Sequence, residues 1–155
     1  MASRLPGRRP TVPALLQMLS ASAGPRLALA FADAGLDGIR PAQSLVLMGL
    51  IDGGCHASDL ATRLGVSRQA VAQAVTALER HEYVSREPDP DDARAKRIHL
   101  TGRGRSALRV MRANALAIED EWREVLGEQR LAGFGDTLDV LLQNARHSRL
   151  SAPPD

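Results

Sequence analysis

Aromatic residues are scarce in this chain: one tryptophan, one tyrosine and two phenylalanines make up 3% of 155 residues. A core of ordinary size must then be filled by Leu, Val, Ile, Met and Ala, which favours packed helices over a sandwich or barrel. Cysteine is nearly missing. The single Cys55 excludes a disulfide within the chain and fits a reducing compartment. No run approaches the roughly 18 consecutive apolar residues of a membrane helix. The opening MASRLPGRRP has no following apolar region of the signal-peptide kind. The expectation is a soluble, cytoplasmic protein with no membrane partner. The four histidines (His56, His81, His99, His147) are dispersed, and no metal-ligand spacing arises. Walker loop, dinucleotide motif and nucleophile–base arrangement are all missing, so no enzyme, cofactor or metal is expected.

Lysine is the other absence. Nineteen of the twenty basic residues are arginine, the side chain better suited to phosphate forks and base edges. The net charge is only +2, but its sign is unevenly spread. Leu60 to Arg112 carries eleven bases and six acids, 11 − 6 = +5, whereas Ala113 to His147 carries three bases and seven acids, 3 − 7 = −4. A basic block in a near-neutral chain fits a polyanion-binding face, and equally a solvated charged surface.

Helical periodicity dominates what is there. Leu15, Leu16, Leu19, Leu27 and Phe31 predict a helical region over about 13–34, with Gly24-Pro25 as a break or kink. Pro41 suits the first turn of a second helix carrying Leu45, Leu47, Met48 and Ile51, which stops at Gly53-Gly54. Residues 57–64 form a short helix, Gly65 ends it, and Ser67 caps another with Ala70, Val71, Ala74, Val75 and Leu78 facing inward. Tyr83–Arg86 and Arg97–Leu100 read as strands around the turn-rich Glu87–Asp92, making a hairpin with Ile98 and Leu100 inward. Thr101-Gly102 opens a long helix. Its Leu108, Met111, Ala115, Ile118, Trp122 and Val125 make a heptad-like seam. A last helix holds Leu131, Phe134, Leu138, Leu141, Leu142 and Ala145, and the final SAPPD should fray.

A short helix, a glycine-bearing turn and a serine-capped second helix is the helix-turn-helix arrangement, whose second helix lies in the major groove. The outward positions are then Arg68, Gln69, Ala72, Gln73 and Thr76. Arginine forks onto guanine, glutamine pairs with adenine, and alanine touches a thymine methyl. Ser67 is placed to cap the helix or donate to a phosphate. In the hairpin, Arg94, Lys96 and Arg97 cluster beside Asp91 and Asp92. Arginine on a narrow hairpin suits the minor groove, and Asp92 is placed to hold the Arg94 guanidinium in a bidentate pair. The plain alternative is an exposed turn whose ion pair contributes little.

The run Asp92-Ala93-Arg94-Ala95-Lys96-Arg97-Ile98-His99-Leu100-Thr101, followed by Gly104, resembles the wing signature of the MarR family of bacterial regulators. Leu60-Ala61-x-x-Leu64-Gly65-Val66-Ser67 and Val84-x-Arg86 match that family too. The resemblance implies a mainly α fold with a small β-hairpin wing, a winged helix-turn-helix. It implies homodimers joined by N- and C-terminal helices, bound to palindromic operators in double-stranded DNA, mostly as repressors. Many members release DNA on binding a small phenolic or other lipophilic ligand, or when a cysteine is oxidised. By position, Arg94 would be the minor-groove arginine and Asp92 its partner, with Ser67, Arg68, Gln69 and Gln73 at the major groove. Two departures stand out. Glu82 occupies a place where the family usually has glycine, at a cost of about 1 kcal/mol if left-handed. Ala93 stands where a second arginine is common.

The domain reading is a flexible basic arm over 1–12 and one domain over 13–150. Its DNA-binding lobe spans about 40–101, and its dimerisation helices about 13–34 and 102–147. The seam, with Trp122 as core or dimer contact, should build a twofold dimer with recognition helices about 34 Å apart. An effector would fit between this stalk and the lobe, where Arg109 and Arg112 are placed to meet an anionic ligand or, more plainly, phosphate or solvent. Cys55, beside His56, is a candidate redox switch without a resolving partner. The leading expectation is a ligand-responsive repressor. The alternatives are a winged-helix module for protein interaction and a redox-responsive regulator using Cys55.

Overall fold

The computed structural model describes residues 9–92 and 94–150. Most of the predicted basic arm, Ala93 and the SAPPD terminus lie outside them.

Helix α1 is Val12–Asp33, α2 Ser44–Gly49, α3 Ala57–Leu64, α4 Arg68–Arg80, α5 Gly102–Leu126 and α6 Glu128–Leu150, and a single 3₁₀ turn, Pro41–Gln43, precedes α2. Strands β1 (Val84–Pro88) and β2 (Lys96–Leu100) form one antiparallel hairpin, registered from Val84 opposite Leu100 to Pro88 opposite Lys96. Cys55 adds a bridge to Ile98: its N–H donates to the Ile98 carbonyl at 3.2 Å and its carbonyl accepts from Ile98 at 2.9 Å. The loop before α3 therefore acts as a third, one-residue strand.

Of the break or kink expected at Gly24-Pro25, the break does not occur; α1 runs through Pro25. A proline within a helix frees the carbonyl four residues back. Here that carbonyl belongs to exposed Ala21, where water can satisfy it. Helix α1 ends instead at Gly35 (φ 67°), with Leu36 N–H on the Phe31 carbonyl at 2.9 Å and Gly35 N–H on that of Ala32 at 3.0 Å. This left-handed closure pairs carbonyls that the helix end would leave orphaned. Helix α3 ends the same way at Gly65 (φ 65°).

The core sits in the lobe between α2, α3, α4, the hairpin and the start of α5. Leu47, Leu50, Leu60, Val71, Val75, Leu78, Tyr83, Val84, Ile98 and Ala107 fill it, with Phe31 from α1. Two expected inward sets are corrected. In α2 the buried apolar side chains are Val46 and Leu47, with Leu50 just beyond; Leu45, Met48 and Ile51 are 54%, 51% and 59% exposed. In α4 the inward stripe begins at Val71, because Ala70 lies in the exposed first turn. The hairpin also starts one residue later than expected and takes Glu87 and Pro88 into β1, while Tyr83, just before it, is wholly buried.

Along α5 only Gly104 and Ala107 are buried. Leu108, Met111, Ile118 and Trp122 of the seam are half-buried, Ala115 is exposed, and Val125 is 81% exposed. In α6, Leu141 and Leu142 are exposed as well. One chain thus leaves much of its stalk apolar surface uncovered.

Candidate nucleic-acid interface

The left-handed turn at Gly65 re-aims the chain so that Ser67 opens α4. The Ser67 hydroxyl accepts from the Ala70 N–H at 3.1 Å, satisfying an otherwise unpaired amide. With Val71, Val75 and Leu78 buried, Arg68, Gln69, Ala72, Gln73 and Thr76 fall together on the exposed face. Thr76 is also tied to the hairpin: its hydroxyl accepts from Arg86 at 3.2 Å, and the same guanidinium meets Glu79 at 2.5 Å. Arg86 thereby fixes the strand against the helix.

The predicted wing residues separate into two groups. Arg94 and Lys96 are exposed, and among the described residues the Arg94 guanidinium has no partner. Asp92 does not grip that guanidinium. Its carboxylate accepts from the Arg94 backbone N–H at 3.0 Å, shaping the turn rather than the side chain. Arg97 points the other way, into the lobe, donating to the Gly54 carbonyl at 2.5 Å and lying 3.9 Å from Asp89.

Asp89 is the residue that organises this end of the hairpin, and it is buried. One carboxylate oxygen accepts from the Asp91 N–H at 2.9 Å, and the other lies 2.9 Å from His56 Nε2 and 3.9 Å from Arg97. The Asp91 amide, with His56 and Arg97, holds its carboxyl below the usual range against the opposing effect of burial. The sequence signal was the Asp-Pro-Asp spacing, typical of a side chain bonding to the backbone two residues on.

At the other end, wing and stalk meet in a few atoms. Helix α4 closes at Glu82 (φ 59°), the one non-glycine residue with positive φ among those described. Tyr83 N–H reaches the Leu78 carbonyl at 2.9 Å and Glu82 N–H that of Glu79 at 3.0 Å, as at Gly35 and Gly65. Glu82→Gly is therefore expected to raise stability by about 1 kcal/mol, read as a higher denaturant midpoint with unchanged slope. A lower midpoint would show that Glu82 makes compensating contacts. The Thr101 hydroxyl donates to the Glu82 carbonyl and accepts from the Gly104 N–H at 3.1 Å, capping α5. Arg103 lies 4.9 Å over the Tyr83 ring and pairs with Asp37, whose carbonyl accepts from the Tyr83 hydroxyl at 2.7 Å. Burial pushes the Tyr83 phenol up, so it stays a donor.

Asp37 belongs to the loop flooring an open groove of about 490 Å³ lined by Ala28, Phe31, Ala32, Leu36 and Ile39. A second groove, of about 320 Å³, lies between α5 and α6, where Trp122 packs edge-on against Phe134 with centroids 6.4 Å apart. Arg109 and Arg112 line neither; Arg109 donates to Ser106 at 2.8 Å and Arg112 is exposed. Cys55 is buried, which pushes its thiol up, away from the reactive thiolate, and the His56 ring is engaged by Asp89.

Residues 37–95 match the sequence pattern of the MarR family. None of the curated proteins matches the chain in sequence. Among solved structures, that of MarR is 20% identical, with a TM-score of 0.80, covering 96% of this chain and 99% of that one. The repressor CouR, solved on a 23-mer DNA duplex, is 25% identical at a TM-score of 0.70, over 85% and 92% of the two chains. PcaV from Streptomyces coelicolor, solved with its natural ligand, is 21% identical at 0.65, over 86% and 93%. At such identities MarR and PcaV speak for the fold alone. The family's sequence pattern thus covers the lobe and the first strand of the wing, and the architecture of nearly the whole chain is similar to that of solved MarR-family regulators.

Proposed function

We propose that this chain is a homodimeric, sequence-specific DNA-binding regulator of the repressor type, released from a palindromic operator by a small molecule. The observation that carries the reading is one lobe offering two exposed basic elements, the outer face of α4, led by Arg68, and the wing tip, led by Arg94, both arginines without an ion pair among the described residues. Ser67, Arg68, Gln69, Gln73 and Thr76 face the major groove, with Thr76 also positioned by Arg86. Arg94 enters the minor groove, Lys96 meets phosphate, and Asp92 sets the turn that presents Arg94. Arg97, spent on Gly54 and Asp89, holds the wing rather than the DNA. The uncovered apolar surface of α1, α5 and α6 supports the dimer, as one chain of 13–150 with a lobe at 40–101. CouR on DNA and PcaV with its ligand support operator and effector. The groove beside α1 is the better effector site than Arg109 and Arg112, because its floor reaches the wing through Asp37 and Tyr83.

Selection of genomic fragments, followed by salt-titrated binding, tests this. Affinity should fall on the order of a thousandfold between about 50 and about 200 mM salt. Arg94→Ala should weaken binding by about 10-fold or more per lobe while the oligomer, read by light scattering, is unchanged. Salt-independent binding would sink the DNA reading, and unchanged affinity in the variant would remove the wing from it.

A further inference from the structure

His56 sits where the helix-turn-helix meets the hairpin, as the residue capping α3 from its N-terminal side. Its Nε2 is 2.9 Å from the Asp89 carboxylate, and its Nδ1 is 3.2 Å from the Lys96 carbonyl oxygen. Both partners are acceptors, and a neutral imidazole carries one N–H. In either neutral tautomer one ring nitrogen turns a lone pair toward an oxygen at hydrogen-bond distance. Only the imidazolium satisfies both contacts. Asp89 does not supply the missing proton, because the Asp91 amide at 2.9 Å keeps its carboxylate ionised.

We propose that His56 is a positioning residue of the wing that acts as a proton-linked clamp, donating as an imidazolium to Asp89 and to the Lys96 carbonyl and so tying both sides of the hairpin to the loop before α3. Pro88, next to Asp89, pairs with Lys96 across the hairpin, so one ring spans both strands at their outer end. The exposed Arg94 lies just beyond. Loss of the proton removes one of the two donors and leaves the outer hairpin held by Arg97 on Gly54 and by the Cys55–Ile98 bridge.

The surrounding charges are mixed. From the hairpin, Asp89, Asp91 and Asp92 favour the cation, and Lys96 and Arg97 oppose it. From the other side, Asp59 in the first turn of α3 favours it, while Arg63 and the helix N-terminus oppose it. Cys55 is neutral, and the His99 ring packs against Gly54. Among the described residues, Asp89 is the carboxylate at hydrogen-bond distance from the ring.

The test uses the full chain without DNA, labelled for NMR and titrated between about pH 5 and about pH 8, where imidazoles exchange their protons. Both His56 ring nitrogens should report N–H at the acid end. The amides of Asp89, Arg94, Lys96 and Arg97 should shift with the same midpoint as the ring, and their protection from exchange should fall roughly 3- to 10-fold as one hydrogen bond is lost. Asp89→Asn should uncouple ring from wing, and His56→Gln, if the first variant folds poorly, should make the wing amides pH-independent. A ring that stays a single neutral tautomer, or wing amides indifferent to it, overturns the clamp. The consequence for DNA rests on the regulator reading above: at constant salt, affinity for the fragment selected with the wild-type chain should fall by a similar factor from acid to alkaline pH, and not in His56→Gln. Equal pH dependence in both proteins overturns the positioning role. If the wild-type chain retains no fragment, the regulator reading falls, and the titration without DNA alone decides the clamp.

Discussion

Gly104→Ala will cost the protein about 3 kcal/mol of stability, a large share of the roughly 5–15 kcal/mol that holds an ordinary domain folded. A Cβ at Gly104 would stand 2.1 Å from the Tyr83 carbonyl oxygen and 3.1 Å from Leu100 Cδ2. The first obstacle is backbone, and it has little freedom to move. That carbonyl accepts the Thr101 N–H at 3.2 Å, and Tyr83 itself is wholly buried, with its hydroxyl on Asp37. Relief must come from shifting α5 outward. That would stretch the Thr101 hydroxyl away from the Glu82 carbonyl or the Gly104 N–H, and strip cover from Ala107. Gly102→Ala is the matched control, since nothing lies within 4 Å of its added Cβ. It should be neutral or stabilising by a fraction of 1 kcal/mol, as alanine is the better helix former. Urea unfolding of the pair measures the difference. Equal midpoints would mean that the close approach of α5 to Tyr83 is not maintained in solution.

Arg68→Ala should have the largest effect on operator binding. Arg68 is the first residue of α4, beyond the Ser67 cap, exposed and with no ion pair among the described residues. It is thus free to fork onto guanine, a contact that discriminates by about 1–3 kcal/mol. A twofold dimer makes the contact twice, so a symmetric site loses about 2–6 kcal/mol. The loss should be confined to particular base pairs: sites carrying substitutions at the position Arg68 reads should bind wild type and variant nearly alike. A uniform loss across all sequences, with a salt slope lowered by about one per half-site, would demote Arg68 to a phosphate contact.

Much of this architecture was legible in the sequence where local chemistry acts alone. Gly65 and Ser67 marked the helix-turn-helix because a left-handed residue and an oxygen cap are needs of the backbone itself, and both sit where expected. Glu82 stood out only against the resemblance, which implies glycine at that place, and its positive φ of 59° is the left-handed value that such a glycine would take. Legibility failed where two faces compete. In the six-residue α2, Leu45, Met48 and Ile51 repeat with helical spacing as well as Val46, Leu47 and Leu50 do, and only the docking of α3 and α4 selects the second set. Pro25 does not break α1, because a proline's cost depends on whether water reaches the carbonyl it frees. In the wing, charge counting treated Arg94, Lys96 and Arg97 as one patch. Strand alternation and the buried carboxylate of Asp89, invisible to counting, turn Arg97 inward and leave Arg94 out.

The Thr101 hydroxyl joins the end of α4, through the Glu82 carbonyl, to the first turn of α5. Mechanically, that makes the hairpin root and the long helix a single lever. At 1.5 Å per residue, the 25 residues of α5 span about 37 Å, so a tilt of about 3° sweeps one end through about 2 Å relative to the other. A binding constellation has to be held to within about 0.5 Å. On the regulator reading proposed above, rotations too small to disturb packing inside the lobe would therefore be large enough to lift α4 out of register with a groove.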